Sequence, residues 1–375
     1  MDALGELVPR LRLHRFPLGS WPSPLDRVMV GGHSFLAKRE DLSAPGYASN
    51  KVRPLERVFG HALETGATTV WATGAYGSNH ALATTVHAPA AGLRAGAILW
   101  PQPLSVTARD NLRSTVATAA ELAFCGHIAA MPLIALAKAR APDALVMPPG
   151  AATPRFALGH AAGALELARQ LAESRLPLPA TIVVPVGSTC TTVGLLVGCA
   201  LARHLGLWAA APHIVAVRVT PWPVTSPWRI LRMACAAAAE LARLGGPRLD
   251  LTPASCTRQL TVIADALGRG YGHPTEAAWR AGAALLDATT TVTRVHPGPE
   301  PHLESAPPRL RADTTYAGKA AGWLLTHLPD LARRGEVLFW MTKSAHPLPA
   351  PDLGREAALP SAVRAWLRGP LGVHD

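Results

Sequence analysis

Three stretches of the chain carry residues able to do chemistry. The first is Ser49-Asn50-Lys51-Val52-Arg53-Pro54-Leu55-Glu56, where a lysine stands between a turn-like segment, Ser43 to Ser49, and an amphipathic run. Lysines are scarce, and arginine carries most of the positive charge. A lysine at the start of a helix is either a solvated first-turn residue or, in the special case, a reactive amine. The second stretch is Gly187-Ser188-Thr189-Cys190-Thr191-Thr192-Val193-Gly194, directly after the apolar run Thr181 to Val186. Backbone N–H groups at such a strand-to-helix junction, with the hydroxyls of Ser188, Thr189, Thr191 and Thr192, suit a phosphate. The loop has neither the Gly-Lys-Ser/Thr of a Walker loop nor GxGxxG, and a purely structural turn is the other reading. The third is Ser78-Asn79-His80, again after a strand and at a helix start. Asn79 could bind a phenolic oxygen or a carboxylate, and Ser78 could bind a carboxylate or transfer a proton. As an N-cap, Ser78 would merely open the helix. Gly-Tyr-Gly-Ser-Asn is not a GxSxG elbow, so no Ser-His-Asp triad follows.

The elements that must position these residues alternate. Strands are expected at Arg27 to Val30, Phe35 to Leu42, Thr68 to Thr73, Gly96 to Trp100, Thr181 to Val186, Ile214 to Val219 and Glu336 to Met341. Between them, helical periodicity marks Arg53 to Glu64 (closed by Gly66), His80 to Ala91, Asn111 to Cys125, Gly159 to Glu173, a helix to Leu205, Met233 to Leu244, Glu276 to Leu286 and Lys319 to Leu328. Strand–loop–helix alternation argues for parallel sheets with helices on their faces. Residues 293–310 hold five prolines and read as a loop or insertion; residues 347–375 read as a tail with one helix near Glu356 to Leu367.

The totals bound the possibilities. A chain of 375 residues, 49% hydrophobic, suffices for two domains or one large α/β domain. The net charge of +11 comes with no block of consecutive basic residues and no basic patch interleaved with aromatics, which points to an anionic substrate or phosphate cofactor rather than nucleic acid. Cys125, Cys190, Cys199, Cys235 and Cys256 are odd in number and show no CxxC pair, so neither a disulfide framework nor a metal site is indicated. With no signal-like leader and no uninterrupted apolar span, a cytoplasmic protein without membrane contact is expected.

Taken together and in order, these motifs resemble the fold type II enzymes that use pyridoxal 5′-phosphate, within the branch of D-cysteine desulfhydrase and 1-aminocyclopropane-1-carboxylate deaminase. The resemblance rests on Lys38-Arg39-Glu40-Asp41-Leu42-Ser43, on Asn50-Lys51-Val52-Arg53 with Leu55-Glu56, and on Gly77 to His80. It continues through Asn111, Glu121-Leu122, Gly159, Glu166 and Val184-Pro185-Val186-Gly187-Ser188. It ends with Tyr271-Gly272, Pro274-Thr275, Asp313 and Tyr316 with Gly318-Lys319-Ala320, covering roughly residues 25–345. It implies a tryptophan synthase β-like architecture: two open parallel-sheet α/β domains with the cofactor in the cleft between them. Residues 1–50 with 160–346 would form the large domain, and residues 51–159 the small one. Lys51 would carry the cofactor and act as base; Asn79 would bond its O3′; Gly187, Ser188, Thr189, Cys190 and Thr191 would hold its phosphate. Ser78, Asn79 and His80 would bind substrate, and Tyr271 and Tyr316 would act as acids or relays, their hydroxyls needing a neighbouring cation to ionise near neutrality. A homodimer is also implied.

Departures from the family pattern sit around these residues. Ala48-Ser49 replaces a usual Gly-Gly, Pro54 replaces a common second lysine, and Thr189 and Cys190 replace loop glycines. Ala317 stands where the deaminases have a glutamate for the pyridine nitrogen, leaving Thr342 as candidate partner. The weaker electron sink favours β-elimination from a small amino acid, releasing an α-keto acid and ammonia, over ring opening. A β/γ-replacement enzyme of specialised metabolism acting on a larger substrate and a non-catalytic paralogue are the alternatives.

Overall fold

The computed structural model describes residues 2–287, 289–295 and 307–371. Its strands are β1 (Leu25–Val30), β2 (His33–Arg39), β3 (Thr69–Ala75), β4 (Arg94–Trp100), β5 (Glu121–Phe124), β6 (Ala144–Val146), β7 (Thr181–Val186), β8 (His213–Arg218), β9 (Leu260–Ile263), β10 (Thr291–Arg294) and β11 (Val337–Met341). Its helices are α1 (Ala3–Leu7), α2 (Val52–Glu64), α3 (Asn79–His87), α4 (Val106–Thr118), α5 (Met131–Lys138), α6 (Pro154–Glu173) and α7 (Cys190–His204). They continue with α8 (Pro227–Arg243), α9 (Pro253–Gln259), α10 (Glu276–Leu286), α11 (Ala317–Ala332), α12 (Leu353–Ala357) and α13 (Ser361–Arg368).

Two sheets result. One runs β5-β4-β3-β6 and is parallel throughout; the other runs β10-β1-β2-β11-β7-β8-β9. The larger sheet is parallel from β2 to β9, while β1 pairs antiparallel with both β2 and β10. Every residue of β7 is buried, which is why it reads as an unbroken apolar run rather than an alternating one. Helix α6 joins the two cores: Phe156 packs with the apolar cluster of the smaller sheet, and Ala157 onward with that of the larger. Helix α2 buries Leu55, Val58, Phe59 and Ala62 in the smaller sheet's cluster. It closes where Gly66 takes a φ of 73° and Ala67 N–H reaches back to Ala62 O at 2.9 Å. No helix among the described residues is long and apolar enough to cross a membrane.

Several sequence expectations need correction. Asn111 to Cys125 is not one helix: α4 begins after its cap Ser105 and ends at Thr118, and Glu121–Phe124 pairs with β4 as an edge strand. No Gly or Pro separates the two, so periodicity alone could not divide them. Thr293 and Arg294, expected in a loop, complete β10 beside β1; residues 296–306 of the proline-rich stretch lie outside the described residues. The tail holds two helices rather than one. Pro360, lacking an N–H, parts them, and Leu359, Val363 and Leu367 then fill the smaller sheet's core. Helices α5 and α9 and strand β9 had no counterpart in the sequence reading.

Behind Lys51 lies a buried ionic cluster. Arg53, in the first turn of α2, donates to Glu40 Oε2 at 2.7 Å and Oε1 at 2.8 Å, and to Glu166 Oε1 of α6 at 2.9 Å. Lys38, from β2, pairs with the same Glu166 and donates to Ser23 O at 2.7 Å and Gln170 Oε1 at 2.6 Å. Trp21 stacks on the Arg53 guanidinium, 3.8 Å from ring centroid to Cζ. Burial alone would raise the Glu166 carboxyl, but Arg53 and Lys38 outweigh it and hold the group below the usual carboxylate range. Removing one partner from such a cluster strands an opposite charge in the interior. Arg53→Met is therefore expected to cost about 3–5 kcal/mol in chemical denaturation. Because the folded pKa of Glu166 is depressed, its contribution is complete above the ordinary value of 4.5 and fades as pH falls through the folded one. Glu166→Gln is expected to flatten the acid limb of stability against pH in that window.

Candidate active site

The three motifs meet at a cavity of ≈ 600 Å³ between the sheets. Lys51 caps α2 at the cavity floor, half-buried. Burial lowers its pKa, Cys190 opposes this weakly, and no carboxylate of the described residues pairs with its amine. A neutral amine, the form that attacks a carbonyl, is thereby favoured. The loop before it is pinned by side chains: Ser43 Oγ donates to Ser49 O at 3.1 Å and accepts from Ser49 N–H at 3.2 Å, while Ser49 Oγ accepts from Lys51 N–H at 3.2 Å. Ser49 thus orders the turn. Gly150, at φ 68°, closes the floor from the Pro148-Pro149 turn. A Cβ there would stand 2.2 Å from Ser188 Oγ and 3.7 Å from Lys51 Nζ.

The loop after β7 forms the next wall. Gly187, Ser188, Thr189, Thr191 and Thr192 line the cavity at the start of α7, with Thr189 in the left-handed region at φ 77°. Thr189 Oγ1 and Thr192 Oγ1 are buried without a hydrogen-bond partner. Thr191 Oγ1 instead accepts from Asn50 Nδ2 at 2.8 Å and lies 3.3 Å from His160 Nε2. Cys190, expected to join this set, does not line the cavity. Its sulfur faces Ala151 O at 3.6 Å, and burial pushes its thiol up to about 12.

The opposite wall is the start of α3. Ser78 caps the helix, its Oγ accepting from Ala81 N–H at 3.2 Å, and still lines the cavity. Asn79 Oδ1 accepts from Tyr47 Oη at 2.9 Å and Asn111 Nδ2 at 2.7 Å. Two donors on the oxygen fix the amide and leave Nδ2 as the end that can donate to a ligand. His80 is buried with both ring nitrogens unpartnered; burial, then Lys51, push its pKa down to about 3, so the imidazole stays neutral.

Tyr271 and Tyr316 meet hydroxyl to hydroxyl across the cavity, with ring centroids 5.9 Å apart. No cation among the described residues lowers either hydroxyl toward ionisation. Burial pushes Tyr271 up to about 12 and Tyr316 well above its usual value, with Tyr271 and Asp313 adding to the latter. The pair stays protonated at neutral pH. One proton serves the mutual bond and the other is left to donate. Asp313 positions Tyr316 by accepting its N–H at 2.5 Å and that of Thr315 at 2.7 Å. Thr342 lines the cavity, whereas Ala317 is buried in the core behind it.

The fold thus gathers Lys51, Ser78, Asn79, His80, Gly187, Ser188, Thr189, Thr191, Tyr271, Tyr316 and Thr342 around one space, and leaves out Cys190. Sequence reasoning missed Tyr47, the side chain of Asn50 and Arg229, which give no local signal. Gly150 was visible only as the end of a Pro-Pro-Gly turn.

Comparison with known proteins bears on this geometry. The family described as "Pyridoxal-phosphate dependent enzyme" matches residues 18–295. Over 344 residues, 88% of this chain and 93% of its relative, the sequence is 30% identical to nocardicin C-9′ epimerase of Nocardia uniformis subsp. tsuyamanensis. It is 28% identical to D-cysteine desulfhydrase of Salmonella paratyphi C over 291 residues, 73% of this chain and 83% of that one. A solved structure described as an ACC deaminase homologue superposes with a TM-score of 0.66 at 24% identity, covering 92% of this chain and 95% of its own.

The residues present fit the cofactor that this family uses. An amine with lowered pKa suits its aldehyde, the unpartnered Thr189 and Thr192 hydroxyls at a helix start suit its phosphate, and the oriented Asn79 amide suits its phenolic oxygen. The chain belongs to the pyridoxal-phosphate-dependent enzyme family.

Proposed function

We propose that the protein removes the Cα proton of an amino-acid substrate, with Lys51 as the residue that carries the cofactor and as the base. The observation behind this is the pairing, in one cavity, of an amine biased toward neutrality with a tyrosine pair biased toward protonation. When bound, pyridoxal phosphate supplies the electron sink that stabilises charge at Cα. Lys51 Nζ takes the proton. Ser78, at the α3 start with Asn79 and His80, receives the substrate carboxylate, where the helix N-terminus favours negative charge. The spare proton of Tyr271–Tyr316 is the acid, and the buried Thr189, Thr191 and Thr192 hold the phosphate end. Thr342, which lines the same cavity, would be the partner for the pyridine nitrogen.

Where the acid protonates a β-substituent as it leaves, the outcome is elimination with release of an α-keto acid and ammonia, the activity class of the desulfhydrase relative. Where it returns a proton to Cα from the other face, the outcome is epimerisation. The near full-length similarity to nocardicin C-9′ epimerase favours this second reading.

Purified protein is expected to be yellow, and borohydride reduction to fix the cofactor on the peptide containing Lys51. Lys51→Ala should lose that attachment while keeping its circular dichroism; a colourless wild type with added cofactor would defeat the proposal. In D₂O, D-cysteine, 2,3-diaminopropionate, D-serine and arylglycines should be screened for Cα deuterium. Keto-acid release identifies a lyase, and inversion without release an epimerase. Tyr271→Phe and Tyr316→Phe are each expected to lower turnover about 10²–10⁴-fold while cofactor absorbance is retained.

A further inference from the structure

The inner half of the cavity is accounted for by the cofactor and the Cα chemistry; its outer half comes from other elements. Trp100 ends β4, Ile128 and Met131 lead into α5, and Pro221 and Val224 lie in the loop after β8. That loop is held by Thr225 Oγ1 donating to Thr220 O at 2.7 Å and Ser226 N–H to Pro223 O at 3.2 Å. These apolar walls lead to an open mouth, where Ile128 is 47% exposed. D-Cysteine or D-serine would leave them untouched.

Arg229, in the first turn of α8, lines the cavity on the same side. Its backbone N–H is capped by Ser226 Oγ at 3.3 Å, but its guanidinium has no hydrogen-bond or ion-pair partner among the described residues. No Asp or Glu lines the cavity among them either. A half-buried arginine lining an acid-free space is a ready site for an anion, and its planar guanidinium fork matches a carboxylate.

Building on the proposed Cα chemistry, we propose that the substrate is an amino acid with an extended, largely apolar side chain ending in a second carboxylate, and that Arg229 binds that distal group. Trp100, Ile128, Met131, Pro221 and Val224 receive the spacer, while the α-carboxylate stays at the start of α3. Arg229 is then a specificity-determining residue, remote from the reacting atoms.

The test uses the cofactor-loaded protein and two matched pairs, 2-aminopimelate with its ω-amide and 4-carboxyphenylglycine with its carboxamide. Dissociation constants come from the shift of the visible cofactor band and from calorimetry. In at least one pair the acid is expected to bind about tenfold to a hundredfold more tightly than the amide, as a charge-assisted bond provides. Arg229→Gln should bring that ratio close to one, and Arg229→Glu should invert it. An acid-to-amide ratio near one in the wild type, or no binding of either pair, overturns the proposal. So does an Arg229→Gln variant that loses cofactor affinity and keeps the ratio, since Arg229 would then serve the cofactor phosphate. Absence of reducible cofactor on Lys51 would instead mark failure of the underlying Cα chemistry.

Discussion

The placement of Lys51 depends on a charge buried two residues away. Arg53 is in the first turn of α2, and its guanidinium is gripped by Glu40 at the end of β2 and Glu166 in the middle of α6. Strand β2 belongs to the larger sheet, α2 packs on the smaller one, and α6 touches both cores. Three elements from two layers are therefore tied at one point, directly behind the Lys51 amine. Such clusters add little net stability over an apolar replacement, because desolvation consumes the Coulombic gain. What this one provides is register. It allows α2 a single rotation, and hence Lys51 a single direction.

The electrostatic design of the cavity follows from what is missing near it. Carboxylates are concentrated in the clusters behind the walls, where Glu40, Glu166, Asp26 and Asp41 are all paired with Lys38, Arg39 or Arg53. Facing the cavity are the Lys51 amine, the neutral His80 imidazole, hydroxyls, helix starts and Arg229. Burial drives Lys51 and His80 toward their neutral forms and holds both tyrosines in theirs. With no acid lining it among the described residues, and Arg229 as its fixed cation, an anionic phosphate and an anionic substrate meet no repulsion.

Much of this was legible in the sequence because local rules and global fold agree. The apolar run Thr181–Val186 followed by small and hydroxylated residues could only be a buried strand feeding a helix, and it is. Lys51, Ser78-Asn79-His80 and the tyrosines converge as their order along alternating strands and helices requires. Illegible features depend on contacts between residues far apart in the chain. Tyr47 matters because its hydroxyl meets Asn79, and the side chain of Cys190 turns from the cavity to Ala151. Lys38, Arg39, Glu40 and Glu166 were visible as motif residues, yet only their geometry reveals a structural role. The division between α4 and β5 was hidden because Ala119-Ala120 fits helix and loop alike.

The C-terminal segment braces one wall of the cavity. Trp366 of α13 donates to Gln102 O at 2.7 Å, and Gln102 Oε1 accepts the N–H of Gly77, next to Ser78, at 3.0 Å. The start of α3 is therefore braced through a residue 264 positions along the chain from Gln102. Trp366 also packs edge-on against Tyr76, with ring centroids 5.0 Å apart, so loss of α13 would uncover Tyr76 and loosen the brace. Helix α13 is in this sense part of the frame of the cavity, although none of its residues lines it.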